Sequence, residues 1–70
     1  MKLKINGEIE NINPAHQEFS LEDLIKQLDN QPQLVVVELN GMIVNPQNWR
    51  ITKIKEGDCL EIVTIVGGGS

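Results

Sequence analysis

The sequence predicts an α+β fold, a mixed sheet of four to five strands packed on one helix. Three observations carry this. A single stretch with helical periodicity lies between β-like runs on both sides. Two Asn-Gly dipeptides, Asn6-Gly7 and Asn40-Gly41, interrupt those runs where hairpin turns belong. The chain has 70 residues and one cysteine, Cys59, so no intramolecular disulfide can staple it and the fold rests on an apolar core.

The elements follow in order. Residues 2–6 alternate polar and apolar, and residues 8–12 begin the same way. Asn6-Gly7 between them tolerates the positive φ of a type I′ turn. On this alternation Leu3, Ile5 and Ile9 point one way, and Lys2, Lys4, Glu8 and Glu10 point the other, able to pair across the strands. After an irregular stretch containing Pro14, Ser20 and Asp23 read as a capping box, with Phe19 and Leu24 at the hydrophobic-staple positions. Leu21, Leu24, Ile25 and Leu28 then fall at i, i+3, i+4 and i+7, which predicts a helix over 21–29. Asn30-Gln31-Pro32 ends it. Residues 34–39 are a β-branched run, and Met42-Ile43-Val44 follows the second Asn-Gly turn. Pro46 stops that strand. Residues 47–54 have no clear period, and Trp49 is expected to anchor them to the core. Glu56-Gly57-Asp58 is a turn, and residues 59–66 form the last strand.

The order is therefore β-β-α-β-β-β. A helical crossover lets the last strand run beside the first and parallel to it, in the middle of the sheet. That arrangement is the β-grasp, or ubiquitin-like, architecture. A ferredoxin-like arrangement is the runner-up, but it needs two helices and only one is legible. Residues 1–66 form the domain and residues 67–70 a flexible glycine-rich arm.

Composition narrows the function. Six basic and ten acidic residues give a net charge of −4, and the aromatics are only Phe19 and Trp49. Nucleic-acid binding wants a basic stripe and a stacking platform, so it is set aside. No stretch approaches the ~18 apolar residues of a membrane span. Lys4, Asn6, Gly7 and Glu8 break the apolar segment a secretory leader would need, so a cytoplasmic protein is expected. One cysteine and one histidine, His16, cannot assemble a Cys/His metal site. His16 has no nucleophilic partner at a recognisable spacing, and Asp58 and Glu61 give Cys59 the wrong electrostatic neighbours for a reactive thiol. Lys53 and Lys55 straddle Ile54 and face water. The domain carries no acid–base or nucleophile pair, so it is not expected to be an enzyme.

Two features point instead to a partner. If Leu60 and Ile62 face the helix, Cys59, Glu61, Val63 and Ile65 face outward, and by the same alternation so do Leu34, Val36 and Glu38. Leu34, Val36, Val63 and Ile65 would then form an exposed apolar patch for a partner. Beside it, Gly67-Gly68-Gly69 is an arm without side chains, able to thread a narrow tunnel in another protein. A carboxylate delivered this way is inert until ATP converts it to an acyl adenylate. The chemistry would belong to the partner, with this chain as its substrate.

These residues together resemble the ThiS-type sulfur carrier family of thiamine thiazole biosynthesis. The resemblance covers essentially the whole chain: the Asn6-Gly7 hairpin, the helix from Ser20 to Leu28, and the run Val35-Val36-Val37-Glu38-Leu39-Asn40-Gly41. It continues through Ile43-Val44-Asn45-Pro46, Trp49 and Glu56-Gly57-Asp58, and closes on Ile62-Val63-Thr64-Ile65-Val66-Gly67-Gly68-Gly69. It implies that a ubiquitin-activating-like adenylyltransferase uses ATP and Mg²⁺ to adenylate the terminal glycine. It implies no cofactor bound to this chain itself. Sulfur from a cysteine-desulfurase persulfide then leaves a thiocarboxylate, which thiazole synthase consumes. By position Gly69, or alternatively Gly68, carries the thiocarboxylate, and Gly67, Gly68 and Gly69 are the arm that enters the partner. The family's arm ends at glycine, whereas Ser70 follows here, so removal of Ser70 before activation is expected. The free carrier is expected to be a monomer. Two alternatives stand beside this reading. One is the small-subunit carrier of molybdopterin synthase, whose chains tend to have a longer segment before the last strand. The other is a β-grasp binding module without terminal chemistry, acting through its sheet face or an edge strand.

Overall fold

Two sequence-local devices start the architecture, a pair of Asn-Gly turns and one capped helix. In the computed structural model, residues 1–14, 17–28 and 35–64 are described. Strands β1 (Lys2–Ile5) and β2 (Glu8–Asn11) form the first hairpin, followed by helix α1 (Leu21–Gln27). Strands β3 (Val35–Leu39) and β4 (Met42–Val44) form the second hairpin. A 3-10 helix over Pro46–Ile51 leads to β5 (Cys59–Thr64). Both turns use positive φ: 52° and 85° at Asn6 and Gly7, 51° and 88° at Asn40 and Gly41. Asn and Gly tolerate this region, which penalises other side chains.

The five strands form one mixed sheet in the order β2-β1-β5-β3-β4. As expected, the last strand is central. It runs parallel to β1, with Lys4 opposite Cys59 and Ile5 opposite Leu60. It runs antiparallel to β3, from Leu39 opposite Leu60 to Val35 opposite Thr64. This is the β-grasp arrangement.

One face of the sheet meets the helix. Leu3 and Ile5 of β1, Val35 and Val37 of β3 and Leu60 of β5 are buried with Leu21, Leu24 and Ile25 of α1. Phe19, Ile12, Trp49 and Ile54 complete the core. Full burial of each such aliphatic side chain contributes about 1.5–3 kcal/mol relative to exposure.

The helix starts as its sequence requires. The Ser20 hydroxyl accepts from the Asp23 N–H at 3.1 Å, and the Asp23 carboxylate accepts from the Ser20 N–H at 3.1 Å. The helix stops at Gln27 with Leu28 as C-cap, shorter than the predicted 21–29. Beside its start, Leu21 N–H donates to the Thr52 carbonyl and Ile54 N–H to the Phe19 carbonyl, tying the 52–54 segment to the helix. That placement buries Ile54 and leaves Lys53 and Lys55 exposed. The unperiodic 47–54 stretch turns out to hold the 3-10 helix, with Pro46 opening it. Trp49 is its buried anchor, its indole N–H donating to the Val44 carbonyl at 2.9 Å.

One sequence expectation is corrected. Ile9 does not share a face with Leu3 and Ile5: it lies opposite Lys4 and is 66% exposed. In a two-residue hairpin the residues flanking the turn sit opposite each other and share a face. Ile5 therefore pairs with Glu8, and Leu3 with Glu10, which moves Ile9 to the side away from the helix. Lys2 and Lys4 accordingly face Asn11 and Ile9 across the hairpin rather than the two glutamates.

Candidate functional site

The last strand is gripped by both turns, at its start and at Ile62. At its start, Asn40 accepts from the Cys59 N–H through Oδ1 at 3.0 Å and donates through Nδ2 to the Asp58 carboxylate at 3.1 Å. Its own N–H donates to the Cys59 carbonyl at 2.7 Å. Asp58 in turn accepts from the Lys55 N–H at 2.8 Å, closing the turn in which Gly57 takes φ 85°. Further along, Asn6 accepts from the Ile62 N–H through Oδ1 at 2.7 Å and donates through Nδ2 to the Ile62 carbonyl at 3.2 Å. Sequence reading treats both asparagines only as turn residues. The available signal was their identity: asparagine carries a donor and an acceptor on one group, and aspartate and glycine do not.

Alternation places the rest. On β5, Leu60 is buried and Ile62 packs against the core, so Cys59, Glu61 and Val63 lie on the opposite, outer face. Val63 is 58% exposed and stands directly opposite half-buried Val36. These two members of the predicted patch are thus brought together. Next to them, Glu38 and Glu61 are opposite each other, and Ile43 of β4 continues that row. Like charges so placed cost stability in the free domain. The outer face thus combines apolar side chains with two carboxylates.

Leu34, Ile65, Gly67, Gly68, Gly69 and Ser70 lie outside the described residues, as does His16. Cys59 is a free, exposed thiol at the start of β5, on the strand surface. Among the described residues, no group of His, Cys, Asp and Glu is gathered closely enough to hold a metal ion. No described helix is long and apolar enough to cross a membrane. An open apolar groove, not anticipated from the sequence, runs between β4 and the 3-10 helix, with exposed Met42 and Ile51 on its walls.

The fold defines a ubiquitin-like β-grasp domain whose central strand is followed in sequence by Gly67-Gly68-Gly69. A model of the ThiS family matches residues 3–69, and the chain belongs to that family. It is similar to the uncharacterized protein ycf40 of Trieres chinensis, 46% identical over 51 residues, 73% of this chain and 70% of that one. It is 39% identical over all 70 residues to part of a thiazole synthase of Paramagnetospirillum magneticum, of which it spans 21%. Among solved structures, the crystal structure of the thiamine biosynthesis protein ThiS from Geobacter metallireducens matches with a TM-score of 0.82. It is 30% identical, covering 99% of this chain and 100% of that one.

Proposed function

We propose that this chain is a sulfur carrier of thiamine thiazole biosynthesis, a protein substrate rather than an enzyme. The supporting observation is that the family match continues to residue 69, through all three glycines of the arm. In this reading a peptidase hydrolyses the Gly69–Ser70 bond, releasing serine, and the freed Gly69 carboxylate attacks the α-phosphorus of ATP, expelling pyrophosphate. A ubiquitin-activating-like adenylyltransferase holds the nucleotide and Mg²⁺. The terminal sulfur of a cysteine-desulfurase persulfide then attacks the acyl carbon and AMP leaves. A thiol reduces the resulting acyl disulfide, becoming oxidised to a disulfide itself, and a thiocarboxylate remains. Thiazole synthase takes that sulfur.

The fold suits such a role because its outer sheet face offers apolar side chains for docking. Val36 and Val63, with Leu34 and Ile65, are the proposed apolar contacts, and Glu38 and Glu61 add negative charge beside them. The likeness to a segment of two thiazole synthases favours thiazole synthase over a molybdopterin synthase as the consuming enzyme. The carrier is proposed to be monomeric when free and to work in the cytoplasm.

Intact mass spectrometry tests this. The protein is incubated with Mg-ATP, the adenylyltransferase, a cysteine desulfurase and cysteine. A species carrying sulfur in place of one oxygen is expected from the 1–69 chain, whose carboxyl end is already Gly69. A single unchanged species under these conditions, for the 1–70 and the 1–69 chains alike, would overturn the reading.

A further inference from the structure

The parallel ladder between β1 and β5 continues beyond the end of β1. Its rungs are Lys4 N–H to the Asp58 carbonyl and Asn6 N–H to the Leu60 carbonyl, both 2.9 Å. In a parallel pair the next amide on β5, that of Ile62, would bond the backbone carbonyl of residue 6. The chain has already reversed there. The Asn6 carboxamide takes over instead, pairing with both the N–H and the C=O of Ile62. On its other side β5 stays paired with β3 as far as Val35 opposite Thr64. Ile62 is therefore the last residue of β5 shown bonded from the β1 side, while β3 stands opposite it on the other flank. Without the carboxamide, that point would retreat to Leu60.

We propose that Asn6 is a positioning residue for the terminal chemistry, fixing the root from which the C-terminal arm departs. This rests on the carrier reading above. Gly69 is seven residues past Ile62, within about 25 Å at full extension. The direction in which that length is launched depends on how firmly its base is held. Asn6 touches no reacting atom and acts through the strand. Asn40 supplies the matched comparison. It has the same turn position, nearly the same φ and two side-chain hydrogen bonds, but grips the start of the strand.

The test compares Asn6→Gly with Asn40→Gly in the chain ending at Gly69. Glycine keeps the positive φ and deletes only the carboxamide. Hydrogen exchange at the Ile62 amide and the kinetics of adenylate formation are read in each. Asn6→Gly is expected to speed exchange at Ile62. It is also expected to lower kcat roughly ten-fold at nearly unchanged KM, below the hundredfold that a small misplacement can cost, because the glycines absorb part of the error. Asn40→Gly is expected to leave kcat unchanged. Destabilisation alone would raise KM through loss of folded carrier and leave kcat intact. Equal kcat for wild type and Asn6→Gly, or equal losses in the two variants, overturns the proposal. Asn6→Asp, which keeps the acceptor and loses the donor, decides the matter if Asn6→Gly does not fold: an intermediate loss of kcat supports the role and an unchanged kcat sinks it. A wild-type chain that accepts no AMP removes the carrier reading itself, and is recognised because no variant is then needed to see it.

Discussion

Asn6-Gly7 and Asn40-Gly41 reverse the chain with backbones that differ by at most three degrees in φ, yet their side chains reach different points along the same strand. The cause is strand direction. Because β1 is parallel to β5, the Asn6 turn lies further along β5 and its carboxamide meets Ile62. Because β3 is antiparallel, the Asn40 turn lies at the beginning of β5 and meets Cys59 and Asp58. A dipeptide specifies the turn, and the tertiary pairing specifies what the asparagine holds.

The largest test of this comparison removes what the hairpins share. Leu60 is fully buried and sits between Ile5 on one side and Leu39 on the other. Leu60→Ala is expected to cost about 2–5 kcal/mol in urea unfolding, with both hairpins lost in one transition. Separate transitions would mean that the hairpins are not joined energetically through β5. Gly7→Ala and Gly41→Ala come next. A Cβ at either position meets no atom within 4 Å, so only the backbone penalty remains, about 1–2 kcal/mol in each. Unequal losses in equilibrium unfolding would mean the turns are less alike than their angles.

A smaller effect separates the two asparagines by charge. Asn40→Asp sets a carboxylate against Asp58, whereas Asn6→Asp faces only the backbone of Ile62. The first should be less stable than the second by about 1 kcal/mol at neutral pH. Like charges raise the folded-state pKa of the new pair, so the penalty is present above that pKa and fades as the pH falls through it. Thermal melts across the acidic range check the sign. Smallest of all, Ile9→Thr and Ile43→Thr, on exposed edge strands, should each change stability by no more than about 0.5 kcal/mol. A loss of core magnitude at Ile9 would restore the face that simple alternation assigns.

What was legible in the sequence was local. The capping box, the helical spacing, both turns and the alternation of β5 are each set by residues a few positions apart, and they stand as read. Ile9 was misplaced because alternation was carried across a turn whose pairing resets it. The 3-10 helix had no amphipathic period to betray it, only Pro46 and the need to bury Trp49. The apolar pair Val36 and Val63 was legible from β-strand alternation on two neighbouring strands. The asparagine grips were not, because each bond spans 18 to 56 positions in sequence.

The position of β5 also bears on how the molecule is made. Translation delivers both hairpins and the helix before residue 59, and an isolated hairpin is marginal in water. Until β5 arrives, β1 and β3 have no common neighbour within the sheet and the apolar sides of both hairpins lack Leu60 between them. The strand that closes the sheet is also the one that leads into the glycines. Completing the sheet and acquiring the strand that precedes the glycines are therefore a single event on the ribosome's timetable. A chain interrupted before β5 would lack both the closed sheet and the strand that precedes the glycines.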